Sequence, residues 1–363
     1  MLLVKPTLTC NQACVYCYEN KFRIDHPQKL EYDLPKLLDR ISAYQGSITL
    51  HGGEPLSIPK ADINTLLKAI FDKTGRSAVQ TNGTLIDDDF IEMFKKYKTS
   101  VGISIDGSGI LNEYRTAIDK TEKIVDTIFK LKSSGVGTSV IIVVSKANAA
   151  IDRLPDLKLF IKQLSDQKIF GRINPYTDIG IHDFGLSESR INDVYSELLI
   201  YTITNGWKWS PFYDMWNSLM GKDSVVCNFK TCDIYHTPAC DELIGSGEIT
   251  NCMRLSDRDM YIKHPTMLNT RNEILSQVDK NDGGCKDCKF WNYCHGGCPS
   301  QAIDNDWRNK TNLCSLYYNL FTTISNMQTS FSVISETKNT CRTKHTDSNH
   351  TDTGTKGKSI GNK

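Results

Sequence analysis

The chain has 363 residues, 39% of them hydrophobic, and its 43 basic and 42 acidic side chains give a formal net charge of +1. That length suits two domains or one large α/β domain with an appendage, and the charge balance excludes the basic footprint of a protein drawn to nucleic acid or to an acidic membrane. No run approaches the ~18 apolar residues of a membrane span, and the N-terminal MLLVKPTLTC is too short and too soon interrupted for a secretion signal, so a cytoplasmic protein is expected.

From residue 1 to about 205, β-rich runs alternate with amphipathic helical patterns. Candidate strands are 2–8, 47–52, 76–82, 100–106, 138–145 and 168–174. Leu34, Leu37, Leu38 and Ile41 recur at helical spacing behind Asp33, a plausible N-cap. Phe90, Met93, Phe94 and Tyr97 do so after TLIDDD, and Ile191, Val194, Tyr195 and Leu198 after Ser187. Six β/α units in a row argue for a parallel sheet. Six are too few to close an eight-stranded barrel, so the fold expected is a partial (β/α)6 TIM-like barrel with its site at the C-terminal strand ends. In SVGISIDG (100–107), Val101, Ile103 and Ile105 alternate with Gly102, Ser104 and Asp106. The apolar set would pack on outer helices and the small, polar set would face the lumen, which suggests a bound ligand, a half-solvated edge strand being the alternative reading. Domain boundaries follow composition. Residues 1–205 form the barrel, the tryptophan-rich 206–226 a connecting segment, 227–332 a cysteine-rich domain with a closing apolar helical pattern, and the polar 333–363 a disordered tail.

The 13 cysteines are not scattered as core filler would be. Three lie at 10–17, nine at 227–314 and one, Cys341, in the tail, where it reads as incidental. None falls in the 209 residues between Cys17 and Cys227. In a long chain without an export signal, such clusters point to metal ligands or catalytic thiols. Cys10, Cys14 and Cys17 are spaced C-x3-C-x2-C, one ligand short of a closed metal site. Cys285, Cys288, Cys294 and Cys298 read C-x2-C-x5-C-x3-C, and by themselves suit zinc as well as iron.

The first cysteine motif, with Tyr16 before its third cysteine, resembles the radical S-adenosylmethionine superfamily. HGGEP (51–55) and QTNG (80–83), each at a strand end, reinforce the resemblance. It implies a 4Fe–4S cluster on three cysteines, whose fourth iron chelates S-adenosylmethionine and whose electron releases a hydrogen-abstracting 5′-deoxyadenosyl radical. By resemblance, Gly52 and Gly53 let backbone approach the methionine moiety, Glu54 receives its ammonium and Tyr16 lies near the adenine. Ser104 and Asp106 would reach the ribose, Arg115 the carboxylate, and Asn82 lies beside them.

The cysteine-rich region resembles the SPASM extension of radical enzymes that modify peptides, which implies two auxiliary 4Fe–4S clusters and three in all. One would take Cys285, Cys288, Cys294 and Cys314. The other would take Cys252 and Cys298 with Cys232 and Cys240, and Cys227 is a possible substitute. The resemblance implies an oxidoreductase acting on a ribosomally made peptide or protein, forming a thioether or carbon–carbon crosslink. It also implies an electron donor such as flavodoxin or ferredoxin. Anaerobic sulfatase maturation, which makes formylglycine, is the alternative; those relatives place aspartate after the cysteine matching Cys252, where this chain has Met253. A non-catalytic iron–sulfur or zinc scaffold would have no need of the open first site. With its first cluster cysteine at residue 10, the chain is expected to lack a leader-binding domain before the barrel. Substrate recognition would then fall to loop 175–186, the cysteine-rich domain or a separate partner protein.

Overall fold

The computed structural model describes residues 1–20, 32–176, 183–222, 227–230, 232–233, 240–252, 254–255 and 270–344, without the side chains of 228 and 331–344. All six expected strands form: β1 (Leu2–Lys5), β2 (Ile48–Leu50), β3 (Ser77–Thr81), β4 (Thr99–Ser104), β5 (Gly137–Val144) and β6 (Phe170–Pro175). They pair in parallel in chain order, in registers such as Leu2 with Ile48 and Val79 with Val101. This is the partial α/β barrel expected from the sequence.

Helices α1 (Leu34–Ala43), α2 (Lys60–Thr74), α3 (Asp88–Lys96), α4 (Ile118–Ser133), α5 (Lys146–Ala149), α6 (Leu154–Asp166) and α7 (Glu188–Thr204) lie between and after the strands. Local chemistry sets their starts. Asp33 accepts from the Lys36 N–H at 3.0 Å, Asp87 from Phe90 at 3.1 Å and Ser187 from Arg190 at 3.3 Å, each satisfying a donor that the helix leaves open. Their apolar stripes are buried at Leu37 and Ile41, at Phe90 and Phe94, and at Ile191, Val194, Tyr195 and Leu198. Such side chains contribute roughly 1.5–3 kcal/mol each on full burial. On β4 the expected alternation holds. Val101 and Ile103 are fully buried, and Ile103 and Ile124 of α4 both flank Gly83. Ser104 faces the lumen, accepting a 2.9 Å hydrogen bond from Gln80.

The segment after α7 packs on the barrel edge. Ser210 bridges in parallel to Arg172 of β6, and the buried Trp209 donates Nε1–H to Ser165 at 2.8 Å. The segment also contains α8 (Phe212–Leu219).

The cysteine-rich region contributes strands that the sequence pattern does not announce. β7 (Asp241–Ile244) pairs in parallel with β1, and β8 (Ile249–Thr250) antiparallel with β7, giving the sheet order β6-β5-β4-β3-β2-β1-β7-β8. Beyond them come α9 (Arg271–Gln277), α10 (Trp291–Cys294) and α11 (Cys314–Lys344). The chain divides into two compact units, Met1–Phe321 and Thr322–Lys363. α11 runs to Lys344, so the polar stretch from 333 is helical over its first twelve residues, where disorder was expected. No glycine or proline occurs between Pro299 and Gly354, so a helix nucleated on its apolar first turns meets no breaker as it extends. The rest of the expected tail, 345–363, lies outside the described residues. Among the described residues no helix is long and apolar enough to cross a membrane.

A buried ion triad joins the barrel to β7. Lys5 Nζ sits 2.7 Å from Glu19 Oε1 and 2.8 Å from Glu242 Oε2, with all three side chains buried. Burial works against the charge of Lys5, but the carboxylates outweigh it and hold the ammonium well above its ordinary pKa. Lys5→Met leaves two carboxylates buried without their cation. We expect it to destabilise the protein by about 3–5 kcal/mol, measured as a lower urea midpoint at unchanged slope.

Candidate active site and cysteine clusters

β1 ends at Lys5, and the chain turns over the C-terminal strand ends as the loop carrying Cys10, Cys14 and Cys17. Main-chain bonds shape that loop: Val15 N–H donates to Tyr114 O at 2.9 Å, Cys17 to Cys14 O at 3.2 Å and Asn20 to Cys17 O at 3.0 Å. The three cysteines border a cavity of about 200 Å³ that Tyr16, Gly52, Gly53, Asn82, Ser104 and Arg115 also line. All but two of the residues expected around the first cluster thus share one wall. The exceptions, Glu54 and Asp106, lie behind the lining.

Gly52 and Gly53 are needed by the protein's own backbone. Gly53 N–H donates to Thr7 O at 3.0 Å and Glu54 N–H to Thr9 O at 2.9 Å. A Cβ on Gly52 would stand 2.4 Å from Thr7 O, and one on Gly53 2.3 Å from Leu8 O and 2.4 Å from Thr9 O. Gly52 also has φ +145°, which side chains rarely adopt. Glu54, fully buried, accepts from Leu56 N–H (3.1 Å) and Thr81 Oγ1 (2.7 Å) on one oxygen and from Asn82 N–H (2.7 Å) on the other. Burial raises its pKa against the pull of these donors. Its carboxylate ties HGGEP to the end of β3. Asn82 extends the tie to the cysteine loop, donating to Asn11 Oδ1 at 2.8 Å and accepting from Thr84 N–H at 3.0 Å.

Asp106 is buried and accepts from Val143 N–H at 2.9 Å and from the Tyr16 hydroxyl. Arg115 donates to the same hydroxyl at 2.9 Å, and its Nη1 lies 3.9 Å from Asp106. Asp106 thereby anchors Tyr16 and Arg115 at the cavity wall. Burial pushes the Asp106 carboxyl up, opposed by Arg115 and its donors.

Other lining residues escaped the sequence reading. His51 and Gln80 sit inside the quoted motifs, Tyr18 directly after the third cysteine and Tyr176 in the loop 175–186, signals that could have found them; Arg254 carried none. His51 Nδ1 accepts from Gly52 N–H at 2.8 Å, so its ring proton is on Nε2. Burial, with Lys5 and Arg254 nearby, pushes its pKa down to about 3, which leaves it neutral. Arg254, from the cysteine-rich region, stacks over Tyr18 at 5.6 Å and closes the cavity.

Cys285, Cys288, Cys294 and Cys314 line one small cavity with Phe290, Trp291, Tyr318 and Phe321. Burial raises the Cys285 thiol to about 11 and pushes Cys294 higher still, each helped by its neighbouring sulfurs. Cys227 is an electrostatic neighbour of Cys240, whose buried thiol is raised to about 12, and Cys240 of Cys252. Cys298, Cys252 and Cys227 all act on Arg254, whereas Cys232 acts on Arg271. Met253 lies outside the described residues, as do 177–182 of the loop proposed for substrate recognition. Cys341 lies where side chains are not described.

The donors fit the implied cofactors. Three soft sulfur donors border the first cavity. Within it Arg115 Nε and Gln12 Nε2 are buried without a hydrogen-bond partner among the described residues, which suits a polar ligand.

Residues 4–150 match the Radical SAM superfamily. Residues 4–150 thus make up a radical S-adenosylmethionine domain, and the chain is an enzyme. Its relatives include the serine-type anaerobic sulfatase-maturating enzyme of Bacteroides thetaiotaomicron, 25% identical over 371 residues and 88% of each chain. The cysteine-type enzyme of Clostridium perfringens is 24% identical over 335 residues, 82% of this chain and 88% of the relative. Among solved structures, native anSMEcpe with bound AdoMet and Cp18Cys peptide shares the fold at a TM-score of 0.68 and 20% identity, covering 91% of this chain and 99% of that one. Streptococcus suis SuiB bound to precursor peptide SuiA does so at 0.58 and 16%, covering 87% and 75%.

Gly53→Ala forces a methyl group into the Leu8–Thr9 backbone. We expect it to cost about 1–3 kcal/mol, with a lower urea midpoint and weaker S-adenosylmethionine binding by calorimetry.

Proposed function

We propose that this enzyme removes a hydrogen atom from a residue of a ribosomally made peptide or protein and completes the reaction as a thioether or carbon–carbon crosslink, the bonding partner losing its hydrogen as a proton and the one remaining electron leaving to the redox partner. The observation that carries the reading is the single cavity that gathers Cys10, Cys14 and Cys17 with Tyr16, Ser104 and Arg115. In this reading the three thiolates hold a 4Fe–4S cluster that lacks a fourth protein ligand. With S-adenosylmethionine bound, it supplies one-electron, hydrogen-abstracting chemistry.

The chain's own part is binding and exclusion. Arg115 and Gln12 offer their orphan N–H groups to the cosubstrate, Tyr16 and Ser104 shape the wall, and Glu54, Asp106 and Asn82 hold those residues in position. Tyr18, His51 and Arg254 close the side toward the cysteine-rich region and keep bulk water out. Cys285, Cys288, Cys294 and Cys314 hold one auxiliary cluster, and Cys240, Cys252 and Cys298 a second, completed by Cys232 or Cys227. Three clusters then belong to the chain. A flavodoxin or ferredoxin supplies electrons, and the substrate is recognised by loop 175–186, the cysteine-rich region or a separate partner protein. A reducing, cytoplasmic setting suits so many free thiols.

Formylglycine formation is the second reading, favoured by the near full-length similarity to sulfatase-maturating enzymes. Met253, where those relatives carry an aspartate, speaks for the crosslink.

Reduced, anaerobically reconstituted protein should convert S-adenosylmethionine to 5′-deoxyadenosine, and Cys14→Ala should bring that to background while losing about one third of the iron. A protein that makes no 5′-deoxyadenosine sinks the reading. With a cysteine-containing substrate peptide, a crosslink appears by mass spectrometry as loss of hydrogen with no free carbonyl. A product captured by a hydrazide probe carries an aldehyde and favours formylglycine.

A further inference from the structure

Arg271 opens α9 behind its N-cap, Thr270, and is 1% exposed. Every N–H of its guanidinium goes to a main-chain carbonyl. Nε donates to Trp307 at 2.7 Å, Nη1 to Gly297 at 3.1 Å and His295 at 3.4 Å, and Nη2 to Asn309 at 2.9 Å and Gly296 at 3.2 Å. The nearby Asp233 carboxylate accepts from the Arg271 main-chain N–H. Among the described residues no carboxylate forms an ion pair with the guanidinium. Carbonyl dipoles solvate a buried cation but do not neutralise it, and an unbalanced buried charge is expensive.

The groups able to balance it are thiolates. Burial pulls the Arg271 pKa down, and the sulfurs of Cys298, Cys232, Cys285 and Cys294 are the neighbours that oppose it, as they would do in full only once deprotonated on a metal. Three of its five carbonyl partners, His295, Gly296 and Gly297, make up the whole link between Cys294 and Cys298. Those two cysteines are the consecutive ones assigned above to different auxiliary clusters. We propose that Arg271 is the shared counter-charge of the two auxiliary iron–sulfur clusters and the clamp that sets the link between them, a positioning and potential-setting residue. This rests on the assignment of auxiliary clusters to the cysteine-rich region. A cube held by four thiolates is a net anion, and reduction adds negative charge, so a fixed cation between two such cubes favours the reduced form of both. Arginine suits the position because five carbonyls need a rigid fork of five donors, which lysine lacks.

The test uses the full-length, anaerobically reconstituted protein, with iron and sulfide counted first and each cluster's midpoint potential then followed by electron paramagnetic resonance during a dithionite titration. A wild-type protein holding one cluster overturns the cluster assignment, and the proposal with it. With three clusters present, Arg271→Gln should make both auxiliary clusters harder to reduce by tenfold or more in equilibrium constant, about 59 mV for one electron, and leave the Cys10–Cys17 cluster unmoved. A smaller shift in a fully loaded variant, or an equal shift of all three clusters, overturns the proposal. If Arg271→Gln does not retain its iron, Arg271→Lys decides. The charge is kept, so auxiliary potentials within tenfold of wild type support the proposal, and a tenfold or larger shift overturns it.

Discussion

The backbone of Thr7–Thr9 and that of Gly52–Glu54 run so close together that no side chain fits between them. Everything at the reactive end follows from that approach. It presses the loop bearing three cysteines onto the end of the barrel, and two main-chain hydrogen bonds fix it there. Glu54 carries the constraint into β3, and Asn82 returns it to the loop at Asn11. The cavity lies inside this circuit. Its walls are held by bonds the protein makes with itself, so a ligand meets a site already shaped.

Charge is buried around the cysteines to an extent that an ordinary core does not need. Lys5 lies between two carboxylates, Arg115 beside Asp106 and Tyr16, Arg254 over Tyr18, and Arg271 among carbonyls. Each arrangement costs desolvation, and each lies at or near a group of sulfurs. Anionic clusters would make those cations favourable where a neutral core would expel them.

Much of the barrel was legible in the sequence because it depends on local signals. Strand alternation, helical stripes and the caps at Asp33, Asp87 and Ser187 operate within a few residues. β7 was not legible, since its four residues show no alternation and its partner, β1, is some 240 positions away. Cys10, Cys14 and Cys17 were found by spacing, and Tyr16, Gly52, Gly53 and Asn82 through the motifs around them, whereas His51 and Gln80 of the same motifs were passed over. The work of Glu54 was not, because its acceptor oxygens are claimed by Thr81 and Asn82 on another strand end. Gly52 and Gly53 were assigned to a ligand's approach, although the nearest obstacle to a side chain is protein backbone. Arg271 left no mark in the sequence, since carbonyls have no residue identity. The cysteines announced their groups by spacing, but that Cys227 acts on Cys240 comes only from the folded chain.

The junction of β1 with β7 has a consequence for how the two halves can be exchanged. The strand that launches Cys10 is laddered to the strand that begins just after Cys240, residue against residue from Leu2–Asp241 to Lys5–Ile244. The cysteine-rich segment is therefore no cassette. Transplanted onto a foreign barrel, it would leave its first strand without an edge to join and Glu242 without its ammonium. A workable chimaera has to be cut so that both strands travel together.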